Sequence, residues 1–197
     1  ARLDEALAQT HIVGLATNVQ FLRQVVRSSA FAGARLDTAL IERERAALFG
    51  QDPVGRDLAV AAAVAQQLQQ EQRLQTADPF SQRDGWSLYG RSQRPWRFAT
   101  PAGECDAVLT YAQGGMPAQL AVAAAGEAMG TGAALQWHAL PDGRIDLQLG
   151  PQRTVASVYR LGETVAVFTP AGGAQITAVD LLAHAGDSGH EGGRLTA

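Results

Sequence analysis

Not one lysine occurs among the 197 residues, and all 16 basic side chains are arginine. That absence removes every chemistry that needs a lysine amine within the chain: a Schiff base, a phosphate-loop lysine, a lysine-tethered prosthetic group. Cysteine is almost as scarce. Cys105 stands alone, so no intramolecular disulfide can form and nothing marks an oxidising compartment. The net charge is −3, without the basic face that nucleic acid demands. Apolar runs such as LAVAAAVA at 58–65 and LAVAAAG at 120–126 are too short to span a bilayer. No basic stretch followed by an apolar run and a cleavage site opens the chain.

What is present suffices for a core. Hydrophobic residues make up 46% of the chain, enough for one ordinary domain or a small domain with an appendage. Residues 1–49 read as mostly helical. Leu3 and Leu7 share one face of a helix ending near Thr10. HIVGLA is a short apolar connector, after which Thr17 or Asn18 can cap a helix from Val19 to about Arg27. SSAFAGAR reads as a loop, and Asp37 or Thr38 can cap a further helix through LDTALIERERAALF.

The helix signal is strongest over 53–74, where Pro53 follows Asp52 as a first-turn residue after a cap. Val54, Leu58, Ala61, Ala65 and Leu68 line one face, Val60 and Val64 widen it, and alanine fills most of the rest. A helix that is apolar most of the way round needs to be enclosed. Its second half, QQLQQEQR, turns polar and should emerge into solvent.

From residue 85 the texture changes. Short alternating or β-rich runs follow one another between glycines and prolines: GWSLYG, RPWRFAT, CDAVLTYA, MPAQLAV, ALQWHAL, RIDLQLG, RTVASVYRLG, TVAVFTP and AQITAVDLLA. Asp142-Gly143 in LPDGRI marks a hairpin turn. The expected fold is α+β: a long central helix wrapped by an antiparallel β-barrel of about eight strands, preceded by a small helical segment. Trp86, Trp96 and Trp137 lie on predicted strands and read as core packing.

The chemical motifs fail on context. GDSG at 186–189 resembles the nucleophile segment of chymotrypsin-like serine proteases, but Ser188 has no base histidine segment to serve it and lies in a glycine-rich linker. His184, Asp187, His190 and Glu191 in the same tail lack the fixed geometry that a metal needs. His11 and His138 each stand alone and read as hydrogen-bonded or half-buried histidines. Cys105 sits between Glu104 and Asp106, which disfavour a thiolate, and MGTG at 129–132 lacks the strand–loop–helix setting of a dinucleotide site. No catalytic residue, metal site or cofactor site emerges. ADPFSQRDGW at 77–86 admits two readings: an ordinary connector with Phe80 tucked into its own barrel, or a projecting contact loop that offers Phe80 to a partner.

HIVGLATNVQFLRQVVRSSAF at 11–31 and the LDTALIERERAALF that follows resemble the C-terminal end of the biotin carboxylase domain in biotin-dependent carboxylases. The matching residues are Gly14, Thr17, Asn18, Phe21, Leu22, Phe31, Asp37, Thr38, Ile41 and Glu42; Ser29 replaces the usual proline and Ala39 a common glycine. DPFSQRDGW resembles the segment that follows the long helix of the BT domain in acyl-CoA carboxylase α subunits, through Asp78, Pro79, Phe80, Ser81, Asp84, Gly85 and Trp86. EGGRLTA resembles the lead into a biotin carrier domain. The spacing is most like the methylcrotonyl-CoA branch, with propionyl-CoA and geranyl-CoA carboxylases as close alternatives.

The resemblance implies three parts: the end of a biotin carboxylase domain at 1–49, a BT domain at 50–184, and a linker at 185–197 toward a biotin carrier. Both ends then read as cut from something longer. The parent protein would be an ATP-dependent ligase using biotin, Mg and bicarbonate, cytoplasmic and bacterial, in leucine degradation, while this segment binds none of those groups. Its implied partners are the carboxyltransferase (β) subunit and the rest of its own α subunit, with no nucleic acid and no membrane. The contact is expected at Asp78, Pro79, Phe80 and Ser81. Two other classes remain: an independent small-molecule-binding barrel, which would need a hollow interior, and a hydrolase built on Ser188.

Overall fold

The structure is a computed structural model describing residues 2–35, 37, 39–49, 52–78, 81–82, 85–112 and 116–179. It opens with a helical piece: α1 (Arg2–Ala8), α2 (Val19–Arg27), α3 (Ser29–Ala32), α4 (Leu40–Arg43) and α5 (Arg45–Leu48). The expected limits of α2 hold, although Asn18 at its N-cap makes no side-chain capping bond. SSAFAGAR is not simply a loop. Ser28 Oγ accepts a hydrogen bond from the Phe31 amide at 3.2 Å, which caps the short helix α3. Asp37 does not cap with its side chain either; its carboxylate pairs with Arg43 at 3.2 Å, and Ala39 occupies the N-cap of α4. Thr38 lies outside the described residues.

The central helix α6 runs over Arg56–Leu74 and starts later than the Asp52-Pro53 pair predicts. Gly55 takes a left-handed φ of 81° at the N-cap, and Asp52 Oδ1 accepts from the Gly55 amide at 2.9 Å. Asp52 therefore closes the turn before the helix rather than the helix itself. Every residue from Ala59 to Ala65 is buried, with Leu68 one turn beyond. Alanine on all sides keeps the cylinder narrow enough for strands to close around it at interior packing density.

Eight strands make that cover: β1 (Gln93–Thr100), β2 (Gly103–Tyr111), β3 (Pro117–Ala124), β4 (Ala133–Ala139), β5 (Ile145–Leu149), β6 (Gln152–Leu161), β7 (Thr164–Phe168) and β8 (Gly173–Val179). Each pairs antiparallel with its successor, and β8 returns to β1 to close the barrel, with Arg97, Phe98 and Ala99 opposite Val179, Ala178 and Thr177. Alternation decides which side chains face the helix. In β2 these are Cys105, Ala107, Leu109 and Tyr111; in β5 they are Ile145, Leu147 and Leu149. The Asp142-Gly143 hairpin joins β4 to β5, with the Gly143 amide donating to the Leu140 carbonyl at 3.0 Å. One expected strand is missing. GWSLYG at 85–90 is a bent loop, with Gly85 and Gly90 at φ of 67° and 73°, where an extended run cannot continue.

The helical piece is joined to the outside of the barrel by polar and aromatic contacts. Arg23 is buried, donating from Nη2 to the Pro170 carbonyl at 2.8 Å and from Nε to Asp4 at 3.1 Å. Arg27 binds the second oxygen of the same carboxylate, and together the arginines hold Asp4 below the usual carboxylate pKa range, the Arg27 hydrogen bond contributing most. His11 stacks on Phe168 of β7 with ring centroids 4.3 Å apart, and its Nδ1 lies 3.0 Å from the Tyr159 hydroxyl of β6.

Candidate functional site

The inside of the barrel leaves no room for a ligand. α6 fills it, and the inward side chains of β2, β5 and β7 close directly on the helix. The hollow interior that a small-molecule-binding barrel would need is absent among the described residues. Cys105 belongs to this core: it is 1% exposed, and burial above all pushes its thiol pKa up, with Asp106 and Asp57 adding to the rise and Arg56 opposing it. His11 is hydrogen-bonded at the joint with the helical piece, and His138 is exposed on β4. Among the described residues no group of three or more His, Cys, Asp or Glu could hold a metal ion. None of the described helices is long and apolar enough to cross a membrane. Ser188 and the ionisable residues of the tail lie outside the described residues.

The sequence-predicted contact segment lies where α6 leaves the barrel. Ser81 is the hub of a tight turn there. Its Oγ accepts from the Thr76 amide at 2.9 Å and the Thr76 hydroxyl at 3.1 Å, and donates to the Asp78 carbonyl at 2.7 Å. The Asp78 amide in turn donates to Thr76 Oγ1 at 3.2 Å. Asp78 and Ser81 are thus brought together in one self-bonded turn. Pro79 and Phe80, between them, lie outside the described residues.

Beyond this turn the chain is pinned to the barrel. Gly85 packs against the Tyr111 ring so closely that a Cβ there would lie 2.4 Å from it, and φ at Gly85 is in the left-handed region as well. The Ser92 carbonyl accepts from the Tyr111 amide at 2.9 Å. At the root, Arg94 of β1 forms a two-pronged pair with Glu71 of α6 and lies over the Trp96 ring at 4.7 Å. Gln67 completes the ring of contacts, accepting from Trp96 Nε1 at 3.2 Å and donating to Glu71 at 3.2 Å. The Glu71 hydrogen bond raises the Arg94 pKa further above its ordinary value. Both ends of the segment 75–92 are therefore fixed to the same rigid body.

What this held segment presents is apolar. Trp86, Leu88 and Tyr89 are 71%, 68% and 86% exposed, and Leu74 at the end of α6 and Met116 at the head of β3 are 79% and 69% exposed. The strand pairing puts the start of β1, the end of β2 and the start of β3, next to Met116, at one end of the barrel. Trp86 and Leu88 share a groove there with Ala112 and Ala118, and the Glu71–Arg94 pair brings the end of α6, with Leu74, to the same end. The groove measures about 730 Å³, and Arg91 and Ala134 line it too. Trp96 and Trp137 pack against the core as expected, but Trp86 does not. The reason is local: among the described residues no strand pairs with 85–90, so no sheet carries Trp86 inward. The glycines that bracket GWSLYG were the available signal.

Residues 55–181, from the N-cap of α6 to just past β8, match a family model described as methylcrotonyl-CoA carboxylase, alpha-subunit, BT domain.

Proposed function

On the premise that the chain belongs to the family of methylcrotonyl-CoA carboxylase alpha-subunit BT domains, we propose that it is the non-catalytic scaffold docking a biotin carboxylase subunit onto its carboxyltransferase partner. The observation that carries this reading is the exposed apolar set Leu74, Trp86, Leu88, Tyr89 and Met116 around a segment tied down at both ends. Trp86 and Leu88 share one groove with Tyr89 beside them in the chain, and large exposed apolar side chains grouped in this way mark a surface for a partner. Preorganisation lowers the ordering cost of association, so a pinned loop binds better than a free one. Asp78 and Ser81 lie in the turn that follows α6, and the family resemblance extends the proposed contact through them to Pro79 and Phe80.

The parent enzyme in this reading uses ATP, Mg and bicarbonate to carboxylate biotin, and the carboxyl group then passes to an acyl-CoA on the partner subunit. With no lysine, no residue of this chain can carry the biotin. Its contribution is spatial: a fixed joint keeps the tethered carrier within reach of two distant active sites and raises its effective concentration at both. Methylcrotonyl-CoA is the proposed acyl group, with geranyl-CoA and propionyl-CoA as alternatives.

The test is size-exclusion chromatography with light scattering on a mixture of the chain and the carboxyltransferase subunit. One heavier co-eluting species is expected. Separate elution at micromolar concentration of both would sink the docking role.

A further inference from the structure

Nine of the described arginines pair with a carboxylate. Arg23 and Arg27 share Asp4, Arg94 holds Glu71, Arg97 holds Asp106, Arg144 holds Asp142 and Arg153 holds Asp146. Two that flank the exposed apolar set are exceptions. Arg91 lines the groove beside Trp86 and Leu88, and Arg73, which precedes Leu74 in the last turn of α6, lines a neighbouring groove with Trp137 and His138; neither has an acidic partner among the described residues.

Arg2, Arg35 and Arg160 are likewise without an acidic partner among the described residues, so what distinguishes Arg91 is its place in the groove beside Trp86 and Leu88. Arg94, three residues beyond Arg91, is held by a carboxylate with two hydrogen bonds, whereas Arg91 lines a groove with no acidic side chain among its described lining residues. Arginine with tryptophan and tyrosine is also the combination that dominates binding energy at protein interfaces, because each offers a large face together with a directed polar group. A guanidinium at the edge of an apolar patch selects a carboxylate for its geometry as well as its charge.

Resting on the docking reading above, we propose that the carboxyltransferase surface engaging this end of the barrel is an apolar socket rimmed by carboxylates. Trp86, Leu88 and Tyr89 fill the socket, and Arg91 and Arg73 meet the rim. The rim charges govern how fast the subunits find each other, while the aromatics govern how long they stay together.

The experiment is stopped-flow association of the chain with the carboxyltransferase subunit at low and high salt. Arg91→Glu and Arg73→Glu each slow association by roughly three- to tenfold at low salt and flatten its salt dependence. Arg91→Lys restores most of the rate. Trp86→Ala and Tyr89→Ala leave association close to wild type and speed dissociation tenfold or more. Charge-reversed variants that associate at the wild-type rate with the wild-type salt dependence would overturn the acidic rim and leave docking intact. If the wild-type chain forms no complex at all, docking falls and the rim falls with it.

Discussion

Arg94 at the head of β1 and Glu71 near the end of α6 are joined by two hydrogen bonds of 2.6 and 2.7 Å. Residues 23 apart in sequence thus meet side by side, and the pair ties the end of α6 to the start of β1. The pair is partly buried, with side-chain exposures of 28% for Arg94 and 12% for Glu71. Removing one partner of a buried pair costs roughly 3–5 kcal/mol, because the other charge is stranded. Solvent access reduces that figure here, so Arg94→Ala should cost about 2 kcal/mol in urea unfolding. The double variant Glu71→Gln with Arg94→Gln should cost less than the single one. Equal or greater loss in the double variant would mean that stranded charge is not the cause.

Ala62 is fully buried, with barrel on every side of its helix. Ala62→Leu adds three carbons where the packing has no slack, and should destabilise the fold by about 1–3 kcal/mol or more. Thermal unfolding checks it. The same substitution at Gln70, on the exposed half of α6, should be close to neutral.

His11 makes the joint between the helical piece and the barrel sensitive to acid. Burial lowers its pKa below the ordinary 6.5, against a smaller opposing effect of the Ala8 carbonyl. The undocked imidazole takes up a proton more readily than the docked one. Docking stability is therefore fully present above pH 6.5 and is lost as the pH falls below it toward the lowered folded value. Amide exchange in α1 and α2 should accelerate over that window. His11→Phe, which keeps the stack on Phe168, should remove the pH dependence; an unchanged profile in that variant would assign the effect to another group.

Cys105, walled in by the barrel, should resist thiol reagents in the native state. Its modification by a disulfide dye should track global unfolding, with denaturant midpoints coinciding with those from circular dichroism. Rapid labelling without denaturant would show that β2 opens locally.

Much of this architecture was legible. The run Ala59–Ala65 offers no polar face, and only enclosure satisfies such a helix. The strict alternation through Cys105, Ala107 and Leu109, and through Ile145, Leu147 and Leu149, fixes which face of each strand turns inward. Where local side chains compete with periodicity, the reading failed. Ser28 builds α3 with its own hydroxyl, and the left-handed Gly55 delays the start of α6 past Pro53. GWSLYG carries the alternation of a strand, yet no neighbouring strand exists to receive it. Exposure of Trp86 and Tyr89 is decided by that missing neighbour, a tertiary fact that alternation does not encode. Family resemblance points to the segment around Asp78 and Ser81, whereas periodicity alone puts the neighbouring GWSLYG on a strand and Trp86 in the core.

The barrel closes only where β1 meets β8, from Arg97 opposite Val179 to Ala99 opposite Thr177. During translation α6 leaves the ribosome before any strand of its cover, and the last strand of that cover is also the last element of the barrel to be made. The alanine-rich helix must wait uncovered until then, marginally stable by itself. Closure between strands so distant in sequence is slow, so the nascent chain passes through a long interval with its core in water. Apolar surface exposed over such an interval is open to aggregation, so the order of synthesis, and not final stability alone, bears on how well the chain folds.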